Sequence, residues 1–231
     1  MNLTLADLKM HMPPPAQIYL ELGALHMNPY ETILTRIPAS APSLVRETVE
    51  VVGRLVDRFR EEVATIRRDA SLSPVGRTEK IRARFDGGYR EHYSQLRGTA
   101  DRALAGITAE IGGMRKRAVE MLSEGSTPAL RHEVRQFLLS RDANERRRLA
   151  FKTEDRLMQA AILEAPAFLS GVDAEAYAVV EQKVVEGAFG QRLGELKVNH
   201  DGWQNADAAL KVAEGQLSRE FEIATFGVAA E

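Results

Sequence analysis

Residues 43–68 read SLVRETVEVVGRLVDRFREEVATIRR, and the spacing of their apolar side chains decides the fold. Val45, Val49, Val52, Val56, Phe59, Val63 and Ile66 follow one another at steps of 4, 3, 4, 3, 4 and 3. That alternation puts one apolar residue on the same stripe every three to four positions, the seam of a helix that packs against another helix. Arg and Glu fill the opposite face. Ser43, directly after Pro42, suits a helix N-cap, so a helix is expected from about Ser43 to the turn at Ala70–Ser73.

Downstream, Ser73-Pro74 is the pairing of an N-cap with a proline at the first helical position. A second helix is expected to run from Pro74 to about Ser123, with a seam through Ile81, Phe85, Tyr89, Tyr93, Leu96, Ala100, Leu104, Ile107, Ile111, Met114, Ala118 and Met121. The tight turn makes the two helices antiparallel neighbours. The second outruns the first, which leaves the overhang from Leu104 to Leu122 in need of another partner. It also contains Gly87-Gly88 and Gly112-Gly113, which weaken a helix by roughly 1 kcal/mol each relative to Ala and mark the expected places for a bend.

Upstream, Pro13-Pro14-Pro15, Pro29, Pro38 and Pro42 repeatedly deny the backbone its helical bonds. Residues 1–42 therefore read as an irregular arm, with one short helix at Gln17–His26. Its apolar islands are expected to lie on a helix or another subunit. Toward the C-terminus, Thr127-Pro128 opens a helix reaching about Ser140. Asp142 with Glu145 forms a capping box for a helix running to Leu163, where Pro166 breaks it. Asp173 caps a valine-rich helix whose continuation past Gly187, Gly190 and Gly194 the pattern leaves open. Trp203, Ala206, Leu210, Ala213, Leu217 and Phe221 form a further seam, expected to cover the overhang.

The expected architecture is thus all-α and elongated: an irregular Pro-rich N-terminal arm (1–42), a long antiparallel helical hairpin (43–125) and additional C-terminal helices packing on the overhang (126–231). Composition agrees, with 44% apolar and 28% charged but only 6% aromatic residues among the 231, a balance that favours thin helix–helix seams. The formal net charge of −2 gives no bulk attraction for nucleic acid. With no cysteine, disulfides, thiolate metal sites and cysteine nucleophiles are excluded. The first residues lack the basic-then-apolar pattern of a signal peptide, and no 18-residue apolar stretch exists to span a membrane. A cytoplasmic location is expected.

No catalytic, cofactor or metal signature emerges. The histidines at 11, 26, 92, 132 and 200 include no His-Glu-x-x-His spacing. His132 and Glu133 are adjacent, so a helix points them apart. The glycine pairs lack the spacing and lysine of a phosphate loop. Two basic clusters are candidate interaction sites: Arg115, Lys116 and Arg117, and Arg148, Lys152 and Arg156, the latter at four-residue steps on one expected helix. Phosphate contacts are open to such a face. Interleaved acids and the lack of aromatic stacking partners favour a solvated or protein-contact face instead.

Three segments carry a resemblance: Glu21-Leu22-Gly23-Ala24-Leu25, the turn Leu72-Ser73-Pro74-Val75-Gly76-Arg77-Thr78-Glu79-Lys80-Ile81, and Ala165-Pro166-Ala167-Phe168-Leu169-Ser170-Gly171. They resemble uncharacterised proteins encoded beside capsid genes in tailed phages and prophages. The resemblance implies a non-enzymatic virion or head-assembly component that binds copies of itself or other phage structural proteins. Helical scaffolding proteins often end in a basic capsid-binding segment, whereas this chain ends Phe226-Gly-Val-Ala-Ala-Glu231, which speaks against a scaffolding role.

Overall fold

The computed structural model describes residues 28–227, and these are helical almost throughout, with no strand among them. The helices are α1 (Pro29–Arg36), α2 (Ser43–Arg68), α3 (Pro74–Arg84), a π-helical turn (Phe85–Tyr89), α4 (Arg90–Ser123), α5 (Pro128–Leu139), α6 (Ala143–Lys152), α7 (Arg156–Leu163), α8 (Ala167–Ser170) and α9 (Ala174–Phe226). The expected helix at Gln17–His26 lies outside the described residues. The chain forms two compact units. Of the described residues, one unit holds 28–107 with 197–227 and the other holds 108–196. The division falls inside α4 and α9, not at the expected boundaries of 42 and 125.

In the first unit the seam of α2 is buried as its spacing predicts: Val45, Val49, Val52, Val56, Phe59, Val63 and Ile66 are all interior. Ser73 caps α3 by accepting a hydrogen bond from the Gly76 amide at 3.1 Å, with Pro74 as the first helical residue. The chain then returns antiparallel to α2. Arg77 reaches the Asp69 carbonyl, while Arg84 and Tyr89 meet Glu62. Gly87-Gly88 produces the expected irregularity, in the form of a π turn, which accommodates an extra residue per turn. Gly112-Gly113 lies within regular helix.

Residues 197–226 of α9 complete this unit. They run parallel to α2, with Gly202 against Ala41 and Val45, Glu220 on Arg60 and the Ile223 carbonyl on Arg67. They run antiparallel to α4, with Asp207 on Arg97, Glu214 on Tyr93 and Phe221 on Phe85. Trp203, Ala206, Leu210, Ala213 and Leu217 are buried. This corrects the sequence reading. The second seam covers the hairpin itself, not the overhang, because an open two-helix hairpin leaves the apolar stripes of both helices half exposed.

The arm also needs correction over its described part. Pro29 does not break a helix but starts α1, capped by Asn28, whose side chain accepts from the Tyr30 amide at 3.0 Å. Proline is well suited to this position, since a first-turn amide has no intrahelical partner. Tyr30, Ile33 and Ile37 are buried, and Tyr30 donates to Gln216 Oε1 at 2.8 Å. Gly53 makes this packing possible, because a Cβ there would stand 3.1 Å from the Tyr30 ring.

In the second unit, α4 residues from Thr108 onward meet the first half of α9 through Arg192–Glu110 at 2.8 Å and Arg115–Glu181 at 3.5 Å. The valine-rich helix continues past its glycines but is kinked at Phe189, whose backbone is non-helical (φ −137°, ψ 22°), so that α9 is two helical stretches joined end to end. The capping-box helix expected from Asp142 to Leu163 is two helices. Thr153 ends α6, its hydroxyl accepts from the Asp155 amide, and Asp155 caps α7 by accepting from Met158 at 2.7 Å. A short polar residue that offers the backbone a local partner competes with helix continuation.

Phe59 is the deepest aromatic of the first unit and touches Phe85 and Tyr89, with ring centroids 5.4 and 4.9 Å away. Phe59→Ala is expected to cost about 3–5 kcal/mol, whereas Val75→Ala, on an exposed surface, changes stability by about 0.5 kcal/mol or less. Urea titration of the two variants checks this.

Candidate functional site

A crevice in the first unit lies between the π turn and α4 on one side and the end of α9 on the other. Its volume is about 570 Å³, within the range of small-molecule sites. The floor is aromatic: Phe85 stacks on Phe221 at 4.5 Å, with Leu217 beside them and Phe226 at the mouth. The π turn shapes it, since the extra residue sets the phase in which Phe85 precedes Tyr93 and Arg97.

Arg90, Tyr93 and Arg97 of the lining are each held by an acid, while Ser94, Ser218 and Glu222 complete its polar part. Arg90 pairs with Asp86 at 3.0 Å and lies 5.2 Å over the Phe85 ring. Arg97 is held by Asp207 and Asp101. Tyr93 donates to Glu214 at 3.2 Å, and burial together with that carboxylate raises the phenol well above its ordinary value. Nearby, burial and Glu62 push Tyr89 up to about 12. Both phenols are thus neutral hydrogen-bond donors at physiological pH. No histidine lines the crevice, and the described residues include no group of three or more His, Cys, Asp or Glu placed to hold a metal ion. The arrangement can hold an apolar body; it offers no aligned base and nucleophile.

A second constellation stands out by its perturbed acid. Glu164, at the C-cap of α7, accepts from Arg131 at 2.7 Å and from Arg135 at 3.0 Å. The Arg131 hydrogen bond, assisted by Arg135 and opposed by desolvation, holds its carboxyl at about 2. Such a shift can mark a functional site, but the remaining contacts argue for structure. Arg131 is buried and also donates to the Ser123 carbonyl, the Ser126 carbonyl and the Ser126 hydroxyl. One guanidinium therefore ties the end of α4, the following turn and the end of α7.

The basic clusters named from sequence are dispersed. Arg115 pairs with Glu181 and Lys116 with Glu120, while Arg117 donates back to the Gly113 carbonyl. Arg148 and Lys152 are exposed on α6, but Arg156 belongs to α7 and donates to the Met121 carbonyl at 3.1 Å. The break at Thr153–Asp155 removes the continuous face on which the three were expected to stand together. His92 and His132 are exposed, and His200 lies 3.9 Å from Asp201. His11 and His26 lie outside the described residues. Sequence reading missed the Phe85–Phe221 crevice because it assigned Phe221 to the wrong partner; aromatics at the second position of one seam and the last of the other were the available signal.

Glu164 has a folded-state pKa near 2 against an ordinary 4.5, so its stabilising contribution is complete above the ordinary value. It is lost as pH falls toward about 2. The stability gap between the native protein and Glu164→Gln should therefore be widest above about pH 5 and close toward pH 2, as measured by thermal melts across that range. Comparison of the chain with family models, with curated proteins and with solved structures finds no match.

Proposed function

We propose that this is a non-enzymatic helical assembly protein that works through protein–protein contacts, as a virion or head-assembly component of a tailed phage in the bacterial cytoplasm or the particle. The observation that carries the protein-contact reading is a rigid apolar knob on α8. Phe168 is 74% exposed and Leu169 47% exposed, and Leu139 of α5, beside Gly171, is 41% exposed. Exposed apolar residues are ordinary when scattered singly, but a cluster of large ones has a binding partner as its usual explanation.

The backbone beneath the knob supports that reading. The Leu169 amide donates to the Pro166 carbonyl, Ser170 donates to the Ala167 carbonyl, and both Ser170 and Val172 are buried. Gly171 turns the chain at φ 67°, where an L side chain is strained, and a Cβ would stand 2.9 Å from Leu139. The segment is anchored on both sides while its two largest side chains face water. It is also one of the three segments that carry the phage resemblance, which supplies the rest of the reading. No described helix is long and apolar enough to cross a membrane.

Nucleic-acid association through the basic faces has less behind it, since most of those side chains are engaged within the protein. Phe168→Asp with Leu169→Asp is expected to leave the circular-dichroism melt unchanged and to abolish self-association or partner capture from the native source. Light scattering and mass spectrometry of co-purifying proteins provide the readouts. A native protein that is a compact monomer and captures nothing would overturn the proposal.

A further inference from the structure

The second unit contains a smaller cleft, of about 330 Å³, where α4, the start of α7 and the first half of α9 meet. Its walls are apolar and small: Ala118, Met121 and Leu122 from α4, with Val184, Gly187 and Ala188 from α9. The polar lining consists of Arg156, Lys183 and Gln159, with no carboxylate. Most other arginines of this unit are answered by acids, as in Arg115–Glu181, Arg131–Glu164, Arg147–Glu175 and Arg192–Glu110, while Arg117 and Arg146 meet backbone carbonyls. Arg156 and Lys183 have no acidic partner among the described residues, and each donates to a single backbone carbonyl, of Met121 and of Phe151 respectively.

Those two bonds fix the cations without exhausting them. An ammonium has three N–H donors and a guanidinium five, so Lys183 keeps two and Arg156 four. Two like charges converging on one cleft repel unless an anion lies between them, and the apolar walls add a requirement for a tail. We propose that this cleft binds a small amphipathic monocarboxylate, its carboxylate between Arg156 and Lys183 and its acyl chain along Met121, Val184 and Ala188. The volume sets the size: at ~30 Å³ per water-sized group it holds roughly ten heavy atoms. Gly187 keeps it open, since a Cβ there meets nothing within 4 Å.

Octanoate matches this size and chemistry. Titrated into the full chain with ¹³C-methyl-labelled Met and Ala, it should shift the Met121, Ala118 and Ala188 methyls saturably, with a Kd on the order of 1 mM or tighter. Acetate, which lacks the tail, and 1-octanol, which lacks the charge, should each bind at least about tenfold more weakly. Gly187→Leu, which fills the cleft and removes no hydrogen bond, should abolish the shifts, and Lys183→Gln should weaken them and flatten their salt dependence. If Gly187→Leu fails to fold, Lys183→Gln with the acetate and octanol arms decides the matter. Equal binding of acetate or octanol, or octanoate binding unchanged in a folded variant, overturns the proposal.

Discussion

Every helix in this protein ends on carbonyls that the helix itself cannot satisfy, and at most of these ends a cationic side chain from elsewhere in the chain meets one or two of them. Arg46 donates to Leu34 and Ile37 at the end of α1, and Arg77 to Asp69 at the end of α2. At the end of α4, Arg131 and Arg156 donate to Ser123 and Met121. Arg146 serves α5, Lys183 serves α6, Arg135 serves α7 and Arg67 serves α9. The physics is simple: the last four carbonyls of a helix are orphans, and the dipole makes that end favour positive charge. A chain of many short helices has many such ends, so its fold depends on arginines arriving at the right places.

That dependence explains why the basic clusters do not form one continuous face. Sequence shows Arg146-Arg147-Arg148 as a block of charge, but the fold sends its members in different directions. Arg146 turns to the Leu139 and Arg141 carbonyls, Arg147, though exposed, is taken up by Asp173 and Glu175, and Arg148 is exposed. A guanidinium with five donors can bond a carbonyl and a carboxylate together, as Arg131 does. The density of charge along the chain therefore overstates the charge available to a partner.

The parts of the fold that were legible from sequence are those governed by local rules. The heptad spacing of α2 identified its buried face residue by residue, and Ser73-Pro74 located the start of α3, because spacing and capping act within a turn or two. What sequence could not supply was pairing. The Trp203–Phe221 seam announces that it will be buried, yet nothing in its periodicity distinguishes the hairpin from the overhang. Proline showed the same limit. Pro29 was read as a breaker, whereas the deciding fact is whether a capping residue precedes it, and Asn28 does. For the candidate sites the limit is sharper still. The crevice at Phe85 joins residues more than a hundred positions apart and the cleft at Lys183 residues up to 70 apart (Ala118 to Ala188), and no local signal records either meeting.

The same accounting of donors separates the apolar knob from the rest of the surface. A loop with exposed aromatics is usually cheap to rearrange, because unsatisfied backbone and exposed side chains both move readily. Here the Leu169 amide and the Ser170 hydroxyl bond the Pro166 and Ala167 carbonyls, Ser170 and Val172 are buried beneath, and Gly171 supplies the left-handed turn that closes the segment. Holding Phe168 and Leu169 in water brings no gain to the isolated chain, since each would stabilise the fold by turning inward. For the proposed protein contact, a backbone already tied in this way would lower the ordering cost that a flexible loop bears on binding.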